Sequence, residues 1–206
     1  CVVDISGSME TIASYEDDDG VYKDDGMTML DIVKHAVKAV MHMLTDQDRL
    51  SLVAFDDSAD TVFALGEMND GGRAQAILAL ESLRPRYRTN IWEGLLAGME
   101  SLRVATPRPK GVFARQSILL LTDGMPNVVP PRGNVPELKS YLEKYPGFRF
   151  QINTFGFGNA LDSDLLQELA GAANGTYAFI PDAKIVGTCF VNCVANAGSN
   201  LSQNAE

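Results

Sequence analysis

Short apolar runs alternate with amphipathic stretches along the whole chain. Strand-like runs cover residues 2–5, 50–55, 60–65, 117–121, 148–157 and 175–180. The run 117–121 is apolar on both faces, which is typical of a central parallel strand covered by helices above and below. The runs 50–55 and 60–65 are separated by a short turn, which indicates one antiparallel edge strand. The pattern predicts an α/β fold, with a doubly wound, mainly parallel central sheet flanked by helices.

The stretches between these runs have helical periodicity. One helix is predicted to begin near Thr28, which forms the pattern of a capping box with Asp31. Its apolar positions recur every three or four residues: Leu30, Val33, Val37, Val40 and Leu44. That spacing gives the helix one apolar face, which we expect to pack on the sheet. Further helices are predicted at residues 73–83, 91–102, 163–173 and 183–197.

Length and charge narrow the class of protein. The chain has 206 residues, of which 46% are hydrophobic, and this predicts one domain over residues 1–206. Its 17 basic and 27 acidic residues give a net charge of −10, which argues against nucleic acid or an anionic membrane as a partner. No apolar run is long enough to span a membrane. Because the sequence begins inside an apolar run and without Met, we expect it to be a fragment of a longer protein.

Residues 10–26 carry an unusual density of negative charge, with seven acidic residues against Lys23. We predict an acidic loop insertion. An EF-hand calcium loop does not fit, because with Gly20 at the glycine position the first ligand position is Tyr15 and the last is Gly26.

The chain has three cysteines, and this odd number predicts no disulfide framework. Cys1, Cys189 and Cys193 are interpreted as buried thiols, which slightly favours an intracellular, reducing compartment over an extracellular one. Two N-glycosylation sequons, at Asn174 and Asn200, favour the opposite and leave the localisation uncertain.

Oxygen-bearing side chains follow the predicted strands. In a doubly wound sheet, ligands bind beyond the carboxyl ends of the strands, where the strand order reverses. Hard cations such as Mg²⁺ take oxygen ligands and retain several waters, so a few side chains on three loops suffice. The candidate metal-site residues are Asp4, Ser6, Ser8, Thr89 and Asp123. They predict a site for Mg²⁺ or Mn²⁺, with Ca²⁺ also possible.

These residues resemble a known family. The segment Asp4-Ile5-Ser6-Gly7-Ser8 is similar to the DxSxS signature of von Willebrand factor type A (vWA) domains, and Thr89 and Asp123-Gly124 match the second and third loops of that family's metal-ion-dependent adhesion site (MIDAS). Residues 48–55 and 154–158 also resemble vWA segments, so the likeness covers nearly the whole chain. It implies the same Rossmann-like fold.

The subfamily is indicated by two shorter segments. Residues 48–55 resemble vWA proteins that carry a ring finger and the inter-alpha-trypsin inhibitor heavy chains. Residues 31–38 resemble fungal and protist proteins that join a vWA domain to a U-box or a Hint domain.

The resemblance also implies roles. The hydroxyls of Ser6, Ser8 and Thr89 would contact the metal, and Asp4 and Asp123 would act through waters or hydrogen bonds. An ion with neutral direct ligands keeps most of its charge and an open position, so an Asp or Glu of a partner protein can complete the shell. The predicted function is a monomeric, metal-dependent protein-binding module. We also hypothesise that a carboxylate of residues 16–19 or 24–25 occupies the metal in cis and blocks partners until it is displaced.

Two alternatives remain at this stage. One is a structural scaffold with a vestigial metal site. The other is a Mg²⁺-dependent phosphotransferase of the haloacid dehalogenase type, which needs a second acid where Ser6 stands. A serine hydrolase is excluded because His35 and His42 lie on one predicted helix and no GxSxG motif occurs. No catalysis is predicted.

Overall fold

The computed structural model describes residues 1–16, 22–106, 115–158 and 161–180. The strands are β1 (Val2–Asp4), β2 (Ile12–Glu16), β3 (Tyr22–Thr28), β4 (Arg49–Phe55), β5 (Ala59–Glu67), β6 (Ser117–Thr122), β7 (Gln151–Phe157) and β8 (Tyr177–Ile180). The α-helices are α1 (Met29–Met43), α2 (Asp70–Glu81), α3 (Ile91–Arg103), α4 (Asn134–Lys144) and α5 (Ser163–Ala172). A 3₁₀ helix covers Gly7–Glu10.

The main sheet has the strand order β5-β4-β1-β6-β7-β8. Strand β1 pairs in parallel with both β4 and β6, and β5 runs antiparallel to β4 at the edge. The predicted fold class and its antiparallel edge strand are confirmed. Because the chain moves outward from β1 first towards β5 and later towards β8, the strand order reverses between β1 and β6. Ligand sites of doubly wound sheets lie at this position.

Apolar side chains pack on both faces of the sheet. Successive strand residues point to opposite faces, so Val3 belongs to the apolar cluster that includes α1 and α2, whereas Val2 belongs to the cluster that includes α3, α4 and α5. The central strand follows the same alternation, with Leu119 and Leu121 on the first face and Leu120 on the second. The domain therefore has three layers, with the sheet in the middle.

Helix α3 lies unusually close to the sheet. A Cβ atom at Gly94 would stand 2.6 Å from Cδ1 of Phe55, and one at Gly98 would stand 2.6 Å from Cγ2 of Val2. Only residues without a side chain allow this approach. It matters for function because α3 begins two residues after Thr89.

The prediction of a loop over residues 10–26 is wrong for part of that segment. Strands β2 and β3 pair antiparallel as a separate hairpin, with an irregular register near Ile12. Hydrophobic periodicity did not reveal this hairpin, because the strands are short and polar and belong to no larger sheet. Residues 17–21 lie outside the described residues.

Helix α4 was not predicted. Its first turn contains Pro136, and Gly133 before it has a φ of 89°. Two such residues are typical of a loop, although proline is tolerated in the first turn of a helix, where no intrahelical N–H bond is lost. Strand β7 also begins later than expected, at Gln151, and the rings of Phe148 and Phe150 before it lie 4.7 Å apart in a tilted arrangement.

The predicted helix at residues 183–197, with Cys189 and Cys193, lies outside the described residues. The capping box at the start of α1 is confirmed: the Asp31 N–H donates to the Thr28 hydroxyl at 3.1 Å, and the Thr28 N–H donates to the Asp31 carboxylate at 3.0 Å.

Candidate metal centre

A cleft of about 480 Å³ opens at the carboxyl end of β1 and β6. Four of the five predicted site residues line it: Ser6, Ser8, Thr89 and Asp123. They come from the loop after β1, the turn before α3 and the loop after β6. The topology therefore brings together side chains that are more than 110 positions apart in the sequence.

Asp4, the fifth residue, lies behind the cleft and is fully buried. Its Oδ1 accepts a hydrogen bond from the Ser6 N–H at 2.8 Å, and its Oδ2 accepts one from the hydroxyl of Thr122. Burial raises the pKa of the Asp4 carboxyl to about 7, against the opposing effect of these hydrogen bonds. With both oxygens engaged, Asp4 holds the loop that carries Ser6.

The hydroxyls in front of Asp4 form a hydrogen-bonded row. The Oγ atoms of Ser6 and Ser8 are 3.1 Å apart, and the Ser8 hydroxyl donates to Oδ1 of Asp123 at 2.8 Å. Burial raises the pKa of the Asp123 carboxyl, and the Ser8 hydrogen bond partly offsets that effect. The row presents neutral oxygens to the cleft and keeps one carboxylate at its end.

The fourth oxygen of the cleft belongs to Thr89. A Cβ atom at Gly124 would lie 3.4 Å from the Ser8 Oγ and 3.6 Å from the Thr89 Oγ1. The two hydroxyls therefore face a common space that the missing side chain of Gly124 leaves open.

The Thr89 main chain is held from the opposite loop by Asn127. The Thr89 N–H donates to Oδ1 of Asn127 at 2.9 Å, and the Thr89 carbonyl accepts from the N–H groups of Asn127 and Val128 at 3.1 and 3.2 Å. Sequence reasoning missed Asn127, because an Asn after a proline in a loop is typical of a turn. It also missed Thr122, although a polar side chain at the end of the most apolar strand was an available signal.

The donor set fits a hard divalent cation. All the candidate ligands are oxygens, as Mg²⁺ and Mn²⁺ prefer. Within the ranges that the structure describes, no group of three or more His, Cys, Asp or Glu side chains is arranged to hold a metal. The described part of the chain therefore offers a hydroxyl-rich site rather than one built from thiolates or imidazoles. The individual ligand roles remain predictions.

None of the helices in the described ranges combines the length and the apolar character needed to cross a bilayer.

Comparison with known proteins identifies the family. The family model of the von Willebrand factor type A domain matches residues 1–187. The chain belongs to the vWA family, whose members are protein-interaction modules, many of them dependent on a metal. It is 32% identical over 152 residues to an uncharacterized protein of Synechocystis, covering 73% of this chain and 33% of that protein. The chain spans a third or less of the curated relatives it matches.

Solved structures show the same fold at low sequence identity. A von Willebrand factor type A protein from Catenulispora acidiphila matches with a TM-score of 0.75 and 23% identity, over 94% of this chain and 40% of that one. Proximal thread matrix protein 1 from the mussel byssus, solved with a zinc-occupied MIDAS motif, matches with a TM-score of 0.64 and 18% identity, over 95% and 44% of the two chains. The identities are too low to carry more than the fold.

Proposed function

We propose that this vWA domain binds a divalent cation through the hydroxyls of Ser6, Ser8 and Thr89, and that an Asp or Glu of a partner protein completes the coordination. Asp4 and Asp123 support the site through hydrogen bonds or bound waters. The bound cation supplies an electrophilic centre with an open position. The domain then acts as a binding module and not as an enzyme.

One observation carries this proposal: neutral hydroxyls face the cleft, while the carboxylates are tied by hydrogen bonds. Both oxygens of Asp4 and one oxygen of Asp123 are engaged. A cation held mainly by neutral groups keeps its attraction for an external carboxylate, and three direct carboxylate ligands would remove it.

Family membership and the zinc-occupied MIDAS of the mussel protein support the same assignment. For this chain, oxygen-only donors favour Mg²⁺ or Mn²⁺, with Ca²⁺ possible, over the nitrogen and sulfur sites that zinc prefers.

A matched pair of probes tests the carboxylate. The Mn²⁺-loaded domain is titrated with N-acetyl-glutamate N-methylamide and with its glutamine analogue, and displacement of metal-bound water is followed by water proton relaxation. We expect the glutamate probe to lower the relaxation enhancement and the glutamine probe to leave it unchanged. An equal response to both probes, or none to either, contradicts the proposal.

Thr89→Ala removes a proposed ligand and is expected to weaken Mn²⁺ binding by about tenfold or more. Thr61→Ala, an exposed threonine on the edge strand β5, is the matched control. Equal Mn²⁺ affinity of the two variants would remove Thr89 from the ligand set.

The hairpin is placed to influence access. Thr11 and Met29, at its two ends, both line the cleft, and the Met29 N–H donates to the Thr11 carbonyl at 2.9 Å. Because its ends already meet, residues 12–27 can be deleted with Thr11 joined to Thr28. If a carboxylate of this segment occupies the metal in cis, the deletion raises affinity for the glutamate probe. Unchanged or weaker binding rejects the cis hypothesis.

A further inference from the structure

The orientation of the Asn127 side-chain amide follows from its hydrogen bond with the Thr89 N–H. A backbone N–H can only donate, so the Asn127 side-chain atom 2.9 Å from the Thr89 nitrogen must be the acceptor Oδ1. The other side-chain atom is therefore Nδ2, which carries two N–H groups. Within the described ranges, Nδ2 has no hydrogen-bond partner, and Asn127 is solvent-exposed and lines the cleft.

A carboxylate that binds a metal through one oxygen leaves its second oxygen in need of a donor, because a charged oxygen without a partner is costly away from bulk water. Among the residues that line the cleft, none is Lys or Arg, and the charged one, Asp123, is negative. A donor from the lining is then neutral: the amide of Asn127 or a hydroxyl such as that of Thr11 or Tyr87. Asn127 is attached directly to the turn that carries Thr89, so its amide lies beside one of the proposed metal ligands.

We propose that Asn127 has two functions: its Oδ1 positions Thr89 for the metal, and its Nδ2 donates to the second oxygen of the partner's carboxylate. This inference rests on the proposed function and adds a residue that distinguishes a carboxylate from the isosteric amide. A carboxylate oxygen accepts from Nδ2, whereas the NH₂ group of a Gln or Asn side chain at the same place meets another donor.

Asn127→Asp separates the two functions. An aspartate keeps an oxygen acceptor for the Thr89 N–H, so Thr89 stays in place, and it replaces the donor Nδ2 by a negatively charged oxygen. Asn127→Ala removes both functions. Gln47→Glu adds the same charge at an exposed position before β4, at the opposite end of the sheet, and controls for net charge.

Two constants are measured for each variant: Mn²⁺ affinity from the relaxation titration, and affinity of the Mn²⁺-loaded form for N-acetyl-glutamate N-methylamide. We expect Asn127→Asp to bind Mn²⁺ at least as tightly as the parent, because the added carboxylate attracts the cation. Its affinity for the glutamate probe should fall by about tenfold or more, since two adjacent carboxylates repel. Asn127→Ala should weaken both affinities.

The inference is overturned if Asn127→Asp binds the glutamate probe as tightly as the parent or as Gln47→Glu. It is also overturned if Asn127→Asp loses Mn²⁺ affinity to the same extent as Asn127→Ala, because Oδ1 would then not position Thr89. Failure of the proposed function looks different, since the parent domain itself would then bind no Mn²⁺ or would not respond to the glutamate probe.

Discussion

The layer beneath α3 and the floor of the cleft at its amino end are both buried, yet they are built on opposite principles. Beneath α3 the contacts are apolar and so close that Gly94 and Gly98 have no room for a side chain. At the floor of the cleft, Ser6 and, behind it, Asp4 are almost fully buried, and their polar atoms are satisfied by one another, by Ser8 and by Thr122.

The apolar layer beneath α3 serves stability, whereas the polar side chains of the cleft serve the proposed function. Close apolar packing contributes to the free energy of unfolding, whereas a buried carboxyl opposes it, as the raised pKa of Asp4 indicates. The domain tolerates this cost at a place where a bound cation would offset it. Because α3 belongs to both regions, the apolar layer also sets the position of the turn that carries Thr89.

The largest effect on stability is expected from Gly94→Ala. The added methyl would overlap the ring of Phe55 at 2.6 Å, so the helix or the ring must move. We expect the free energy of unfolding, measured by urea denaturation, to fall by about 1–3 kcal/mol. Mn²⁺ affinity should fall too, because α3 and Thr89 shift together. An unchanged urea midpoint would mean that the packing beneath α3 is looser than described.

Proton competition at Asp4 is expected to be the next effect in size. The folded-state pKa of about 7 lies above the unfolded value near 3.8, so the metal-free fold binds the extra proton between these values and loses stability as the pH rises from 4 to 7. A cation favours the charged form. Metal affinity should therefore decrease about tenfold for each pH unit below 7.

Asp4→Asn tests this linkage. The asparagine keeps the shape but cannot ionise, so the metal-free variant should be more stable than the parent at pH 8 and should bind Mn²⁺ more weakly. The dependence of Mn²⁺ affinity on pH, measured by titration between pH 5 and 8, should flatten. A slope equal to that of the parent would assign the proton to another group.

The smallest effect is expected from Gly171→Ala on α5, which is also the control for Gly94→Ala. A Cβ at this position meets nothing within 4 Å. Replacing a glycine in an exposed helix turn should raise the free energy of unfolding by roughly 0.5–1 kcal/mol. If Gly171→Ala lost as much stability as Gly94→Ala, alanine at a helical glycine would be destabilising in general. The close contact between Gly94 and Phe55 would then not explain the loss.

Hydrophobic periodicity predicted the elements whose burial is strongest. Strand β6 and helix α1 were predicted within one or two residues, because their apolar positions carry the core. Helix α4 was missed because the glycine and proline at its start resemble a loop. The hairpin of β2 and β3 was missed because its sequence is rich in polar and acidic residues and provides no periodic signal.

The candidate site likewise contains residues that the sequence pattern indicates and residues that it does not. Asp4, Ser6, Ser8, Thr89 and Asp123 were predicted because each is an oxygen-bearing side chain at the end of a strand, in the loop that follows a strand or near the start of a helix. The contribution of Asn127 depends on a hydrogen bond across two loops, and local sequence contains no information on which loop residues meet. Gly94 and Gly98 of α3 also gave no sequence signal, because a helical glycine indicates a close contact only when the neighbouring strand is known.

The central claim is that these five side chains form a metal site, and thermal unfolding tests it most directly. The metal-stripped domain is unfolded with and without Mg²⁺ or Mn²⁺, beside Ser6→Ala and Asp123→Ala. At about 100 times Kd, a bound ion should stabilise the fold by about 2.7 kcal/mol. For a domain of this size, that shifts Tm by roughly 5–10 °C. The account predicts that shift in the parent and its absence in both variants. A parent domain whose Tm is the same with and without metal would contradict the claim and leave the fold as a scaffold with a vestigial site.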